Sequence, residues 1–63
     1  MNLGYDIFKK LDDGSPLWIM QIATLEEAKQ QLEVLVAASP AEHFIRDASN
    51  GEIVARSGPG LSA

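Results

Sequence analysis

One segment of the chain carries helical periodicity, and turn signals stand on both sides of it. Leu25, Ala28, Leu32, Leu35 and Val36 recur at the spacing of a single apolar helix stripe. Thr24 three residues ahead of Glu27 is a capping box, in which the hydroxyl accepts from the Glu27 amide and the carboxylate reaches back. Glu26 and Glu27 place negative charge at the positive end of the helix dipole. Ser39-Pro40 ends the segment, because a residue before proline is pushed out of the helical region. Everything else must therefore be built from short strands on either side of one helix of about four turns.

Those strands are legible. Tyr5 to Leu11 and Leu17 to Ile22 flank Asp12-Asp13-Gly14-Ser15-Pro16, where Asp-Gly is the strong hairpin signal. After the helix, Ala41 to Asp47 and Glu52 to Arg56 flank Ala48-Ser49-Asn50-Gly51. The order is β-β-α-β-β, which predicts a two-layer α+β domain: a four-stranded antiparallel sheet with the helix across one face. Residues 1–56 form this single domain, and 57–63, Ser-Gly-Pro-Gly-Leu-Ser-Ala, read as a disordered tail.

Alternation along the strands divides the side chains between two faces. With Asp13-Gly14 at the centre of the first turn, Phe8 pairs with Ile19, Ile7 with Met20 and Tyr5 with Ile22. Tyr5, Ile7, Trp18, Met20 and Ile22 then lie under the helix, and Phe8, Leu17 and Ile19 on the other face. Trp18 is accordingly expected near Leu32 and Leu35, with blue-shifted emission. In the second hairpin, Asp47 opposite Glu52 sets Ile45 against Val54 and Phe44 against Ala55. One helix covers one face, so apolar side chains remain on the other. An uncovered apolar patch marks an interface, and Phe8, Leu17, Ile19, Ile45 and Val54 are its candidate residues, with Phe44 the alternative to Ile45 because either face of the second hairpin could meet the helix. A chain of 63 residues without cysteine, hence without disulfide or thiolate zinc site, has oligomerisation left as a supplement to a small core. The expectation is a non-enzymatic interaction module, homodimeric through the sheet or docked on a larger protein. The uncharged back of the helix around Val34 ranks second as a contact.

The alternative is a nucleic-acid or anionic-ligand binder that uses Phe8, Lys10 and Arg46. Lys9, Lys10, Arg46 and Arg56, four of the five basic residues, all fall on strands. A net charge of −4 opposes it, since such binding depends on neutralising phosphates. Catalysis, cofactor and metal sites are not expected. His43 is the single histidine, reads as surface, and points away from its neighbour Glu42 on a strand. Asp12-Asp13 lacks the ligand spacing of a calcium loop, Glu26-Glu27 is explained by capping, and Ser57-Gly58-Pro59-Gly60 lacks the lysine of a phosphate-binding loop. No apolar run reaches the roughly 20 residues that span a bilayer, and Met1-Asn2-Leu3-Gly4 is unlike a signal peptide, so a cytoplasmic location is expected.

The combination Tyr5-x-Ile7-Phe8-Lys9, Gly14, Trp18, Leu25-Glu26-Glu27-Ala28, Leu32, Ser39-Pro40, Phe44, Asp47, Gly51-Glu52 and Val54 resembles a group of small uncharacterised bacterial ββαββ proteins. That resemblance implies the fold and a bacterial cytoplasmic setting, and no activity. The hairpin followed by a Leu-Glu-Glu-Ala helix is also similar, more distantly, to HicB-type antitoxins, although no DNA-binding extension accompanies it.

Overall fold

The computed structural model describes residues 3–58 as β1 (Tyr5–Lys10), β2 (Pro16–Ile22), α1 (Leu25–Ala38), β3 (His43–Asp47) and β4 (Ile53–Ser57). The sheet is antiparallel throughout, in the spatial order β2-β1-β3-β4. The two hairpins thus lie side by side with β1 and β3 at the centre, and α1 crosses one face. This is the two-layer ββαββ domain that the chain's order predicts.

The helix starts and stops where its local chemistry requires. Thr24 is extended and its hydroxyl accepts from the Glu27 amide at 3.3 Å, which satisfies one of the donors that a helix start leaves unpaired. Ser39 is extended and its amide donates to the Leu35 carbonyl at 2.8 Å. Ala28 and Leu32 are buried, with Leu25 and Leu35 packed beside them, while Val34 faces solvent. Thr24→Ala should lower unfolding stability by about 0.5–2 kcal/mol. A urea midpoint equal to that of the native chain would show that the cap contributes nothing.

Ile7 and Ile45 face each other across the two central strands and are both 0% exposed. With Ala28 and Leu32 they make the core, ringed by Tyr5, Met20, Ile22 and Ala55. Ile45 is therefore a core residue and not part of the uncovered face. Phe44, its neighbour in sequence, occupies that face.

Each hairpin departs from the expected register by one residue over part of its length: in the first a bulge restores the register, and in the second a bulge introduces the departure. The first turn is a three-residue loop. The Leu11 amide donates to the Ser15 carbonyl at 2.8 Å, and Gly14 has φ of 87°, a left-handed conformation that glycine adopts without a Cβ clash. The Asp13 carboxylate accepts from the Ser15 hydroxyl and amide, which holds its pKa below the ordinary 3.8. Lys10 consequently pairs with Pro16, Lys9 with Leu17 and Phe8 with Trp18. The register then shifts, leaving Ile19 as the extra residue, so Ile7 pairs with Met20 and Tyr5 with Ile22 as expected. Trp18 is thereby moved from the helix side to the opposite face.

In the second hairpin the Asp47 amide donates to the Glu52 carbonyl at 2.8 Å, as expected, and Arg46 pairs with Ile53. Val54 is then the extra residue. Ile45 meets Ala55 and Phe44 meets Arg56, one place beyond the expected partners. The strand also runs past the expected boundary at 56, since Ser57 pairs with His43. Gly58 lies against Ala41, where a Cβ would come within 2.6 Å of the carbonyl oxygen. The rest of the expected tail, 59–63, lies outside the described residues.

Candidate functional site

The face of the sheet away from α1 is ordered in three rows by the strand registers. The middle row crosses all four strands as Trp18, Phe8, Phe44 and Arg56. Beside it on one flank runs Gln21, Asp6, Arg46 and Ile53. On the other flank Pro16 pairs with Lys10, whose amide donates to the Glu42 carbonyl. Antiparallel pairing brings such neighbours into side-chain contact.

The middle row is aromatic at its centre. The Phe8 and Phe44 rings stack with centroids 5.1 Å apart and planes within 13°. The Arg46 guanidinium lies over the Phe8 ring at 5.1 Å, a cation–π distance. Its Nη2 is also 3.6 Å from the Asp6 carboxylate. The Trp18 indole N–H donates to the other Asp6 oxygen at 3.3 Å, which orients the ring while leaving the side chain 56% exposed. Asp6 is thus nearly buried beneath a tryptophan and an arginine. Lys10 and Glu42 form a further pair at 3.7 Å. Arg56 has no carboxylate within ion-pair reach among the described residues. It borders a shallow depression with Lys10, Glu42, Phe44 and Ile53.

Charge is partitioned by this geometry. The face carries Lys10, Arg46 and Arg56, three of the chain's five cations, but only Asp6 and Glu42 among its nine carboxylates. An acidic protein therefore presents a mildly basic, aromatic sheet.

Of the residues expected here, Phe8 takes its place. Ile45 is buried beneath the helix. Leu17 pairs with Lys9, whose ammonium reaches the Ser39 hydroxyl at the helix end, so Leu17 belongs to the rim of the helix side. Ile19 and Val54 are the bulge residues, the first half-buried and the second 40% exposed. Trp18 and Phe44 replace them at the centre. Phe44 is visible in the sequence as an alternative to Ile45. Trp18 is displaced by the loop length alone.

His43 is not a surface residue. It is 1% exposed on the helix side, opposite Lys9 and Ser57, with Nδ1 2.8 Å from the Ala41 carbonyl. Among the described residues no three His, Asp or Glu side chains converge on a point that could hold a metal ion, and no helix is long and apolar enough to cross a membrane. No protein-family model matches the chain, and neither a curated protein nor a solved structure does.

Proposed function

We propose that the protein is a non-enzymatic interaction module that forms a homodimer through the open face of its sheet, with Phe8, Trp18 and Phe44 at the centre of the contact. The observation that supports this is the aromatic row itself. Trp18 and Ile53 are about half exposed, on a face that no other element covers among the described residues. Fully burying an exposed side chain of this size contributes roughly 1.5–3 kcal/mol, so the remaining half of each adds about 1 kcal/mol, and several together are a large increment beside the few kcal/mol that a core of this size supplies. A twofold contact lets one patch complete itself.

Trp18 is the only tryptophan, so its emission reports the interface directly. On raising the protein from submicromolar to high micromolar concentration, its maximum should shift to the blue while sedimentation moves from monomer to dimer. A 6.8 kDa species with unchanged emission at every concentration would overturn the homodimer.

A second reading is favoured by one observation. Phe8 and Phe44 sit on the two central strands with Arg46 and Arg56 beside them, which is how sheet-based single-strand binders stack bases and neutralise phosphates. Against it, Lys10 and Arg46 already have carboxylate partners and the two rings use one face on each other. Binding of a labelled thymidine oligonucleotide that weakens steeply with salt would favour this second reading. Dimerisation driven by apolar contact persists in salt.

A further inference from the structure

From the registers we infer the symmetry of the dimer: its twofold axis runs between β1 and β3, parallel to them, so that Trp18 of one protomer stacks on the partner's Arg56. The inference rests on the homodimer proposed above and adds its geometry. Packed sheets keep their strands within about 30° of each other when aligned, and two twofold axes lying between the sheets give that arrangement. One runs along the strands and the other across them.

The axis along the strands lays β2 over the partner's β4 and β1 over the partner's β3. The middle row, Trp18, Phe8, Phe44 and Arg56, then meets its own reverse. Phe8 faces the partner's Phe44, and Trp18 faces the partner's Arg56, the cation on this face without a carboxylate partner among the described residues. In the flanking row Asp6 faces the partner's Arg46, and Gln21 faces the partner's Ile53. In the third row Lys10 faces the partner's Glu42. Every charge on the face lies opposite an opposite charge or an aromatic ring, so none is buried unpaired.

The axis across the strands pairs each residue of the middle row with itself. Asp6 would still face the partner's Lys10, and Arg46 the partner's Glu42. Arg56, however, would meet the partner's Arg56, and like charges in juxtaposition disfavour an interface strongly. Arg56, without a carboxylate partner among the described residues, therefore selects the axis. The same contact gives a role to Trp18, which is tethered to Asp6 through its indole N–H yet 56% exposed and so accessible to a guanidinium from outside.

The native chain contains no cysteine, so introduced thiols report without background. Gln21→Cys and Ile53→Cys are made separately, each at an exposed position, and treated with a short bismaleimide alone and as an equimolar mixture. Gln21 lies across from the partner's Ile53 only for the axis along the strands. The mixture should then give covalent dimer at about ten times the yield of either protein alone or more, because paired thiols react at a raised effective concentration. Trp18→Cys tests the other axis, since it would cross-link to itself there. Sedimentation of the native protein separates the two levels of inference. A native dimer with Trp18→Cys self-linking, or with no link in the mixed sample, overturns the axis and leaves the homodimer standing. A native monomer overturns both. Should Gln21→Cys or Ile53→Cys lose the native circular dichroism, Arg56→Glu supplies the second measurement. It should abolish the concentration-dependent blue shift of Trp18, and an unchanged shift overturns the stacking.

Discussion

Ile45→Ala should leave the protein largely unfolded at 25 °C. The side chain is 0% exposed at the middle of β3, against Ile7 on β1 and beneath Ala28 and Leu32 of α1. Truncating a buried isoleucine costs about 2–5 kcal/mol through lost transfer energy and the cavity left behind. A single hydrophobic core in a chain of 63 residues supplies about 3–5 kcal/mol at most. The substitution therefore consumes most or all of it. Far-ultraviolet circular dichroism should lose its native form and the cooperative melt should vanish or fall well below room temperature. Ile53→Ala provides the contrast: this isoleucine is 45% exposed on the edge strand, and the monomer should melt within about 0.5 kcal/mol of the native chain. A normal melt for Ile45→Ala would mean that the helix packs against some other set of residues.

Phe44→Asp should have the opposite profile, with a fold kept and an assembly lost. Phe44 lies on the open face, stacked on Phe8, and supports nothing beneath the helix. A carboxylate there would be buried at the centre of the proposed interface, where an unpaired charge is strongly unfavourable. Dimer affinity should fall by about 100-fold or more, equivalent to roughly 2.7 kcal/mol. Sedimentation should show monomer, with Trp18 emission fixed at its exposed position and the far-ultraviolet spectrum near native. Retention of a dimer with native affinity would place the contact elsewhere, and the exposed Val34 side of α1 would be the next surface to mutate.

Much of the architecture is written locally. The cap at Thr24, the stop at Ser39, both turns and the four strands follow from chemistry acting over a few residues, so they are readable in sequence order. The pairs Ile7 with Met20 and Tyr5 with Ile22 are equally legible, because apolar alternation fixes which residues must share a face. The candidate surface is legible only as a surplus: more apolar side chains than one helix can cover, with Phe8 among them.

What the chain order could not settle was decided by two local irregularities and one long-range contact. Gly14 closes a three-residue loop instead of a two-residue turn, and this slides Lys10, Lys9 and Phe8 by one partner before the bulge at Ile19 restores the register. Trp18 changes faces as a result. Parity cannot detect this, since inserting one residue inverts every alternation up to the compensating bulge. The bulge at Val54 moves the partner of Phe44 from Ala55 to Arg56, which brings to the open face a cation without a carboxylate partner among the described residues. The pairing of β1 with β3 then chose between Phe44 and Ile45. These strands are separated by a hairpin arm and the whole helix, and no turn connects them. Only when α1 lies across the sheet do Ile7 and Ile45 become the pair that fills the space beneath Ala28 and Leu32. Burial of that pair forces Phe44 onto Phe8 on the opposite side, because adjacent residues of a strand cannot share a face.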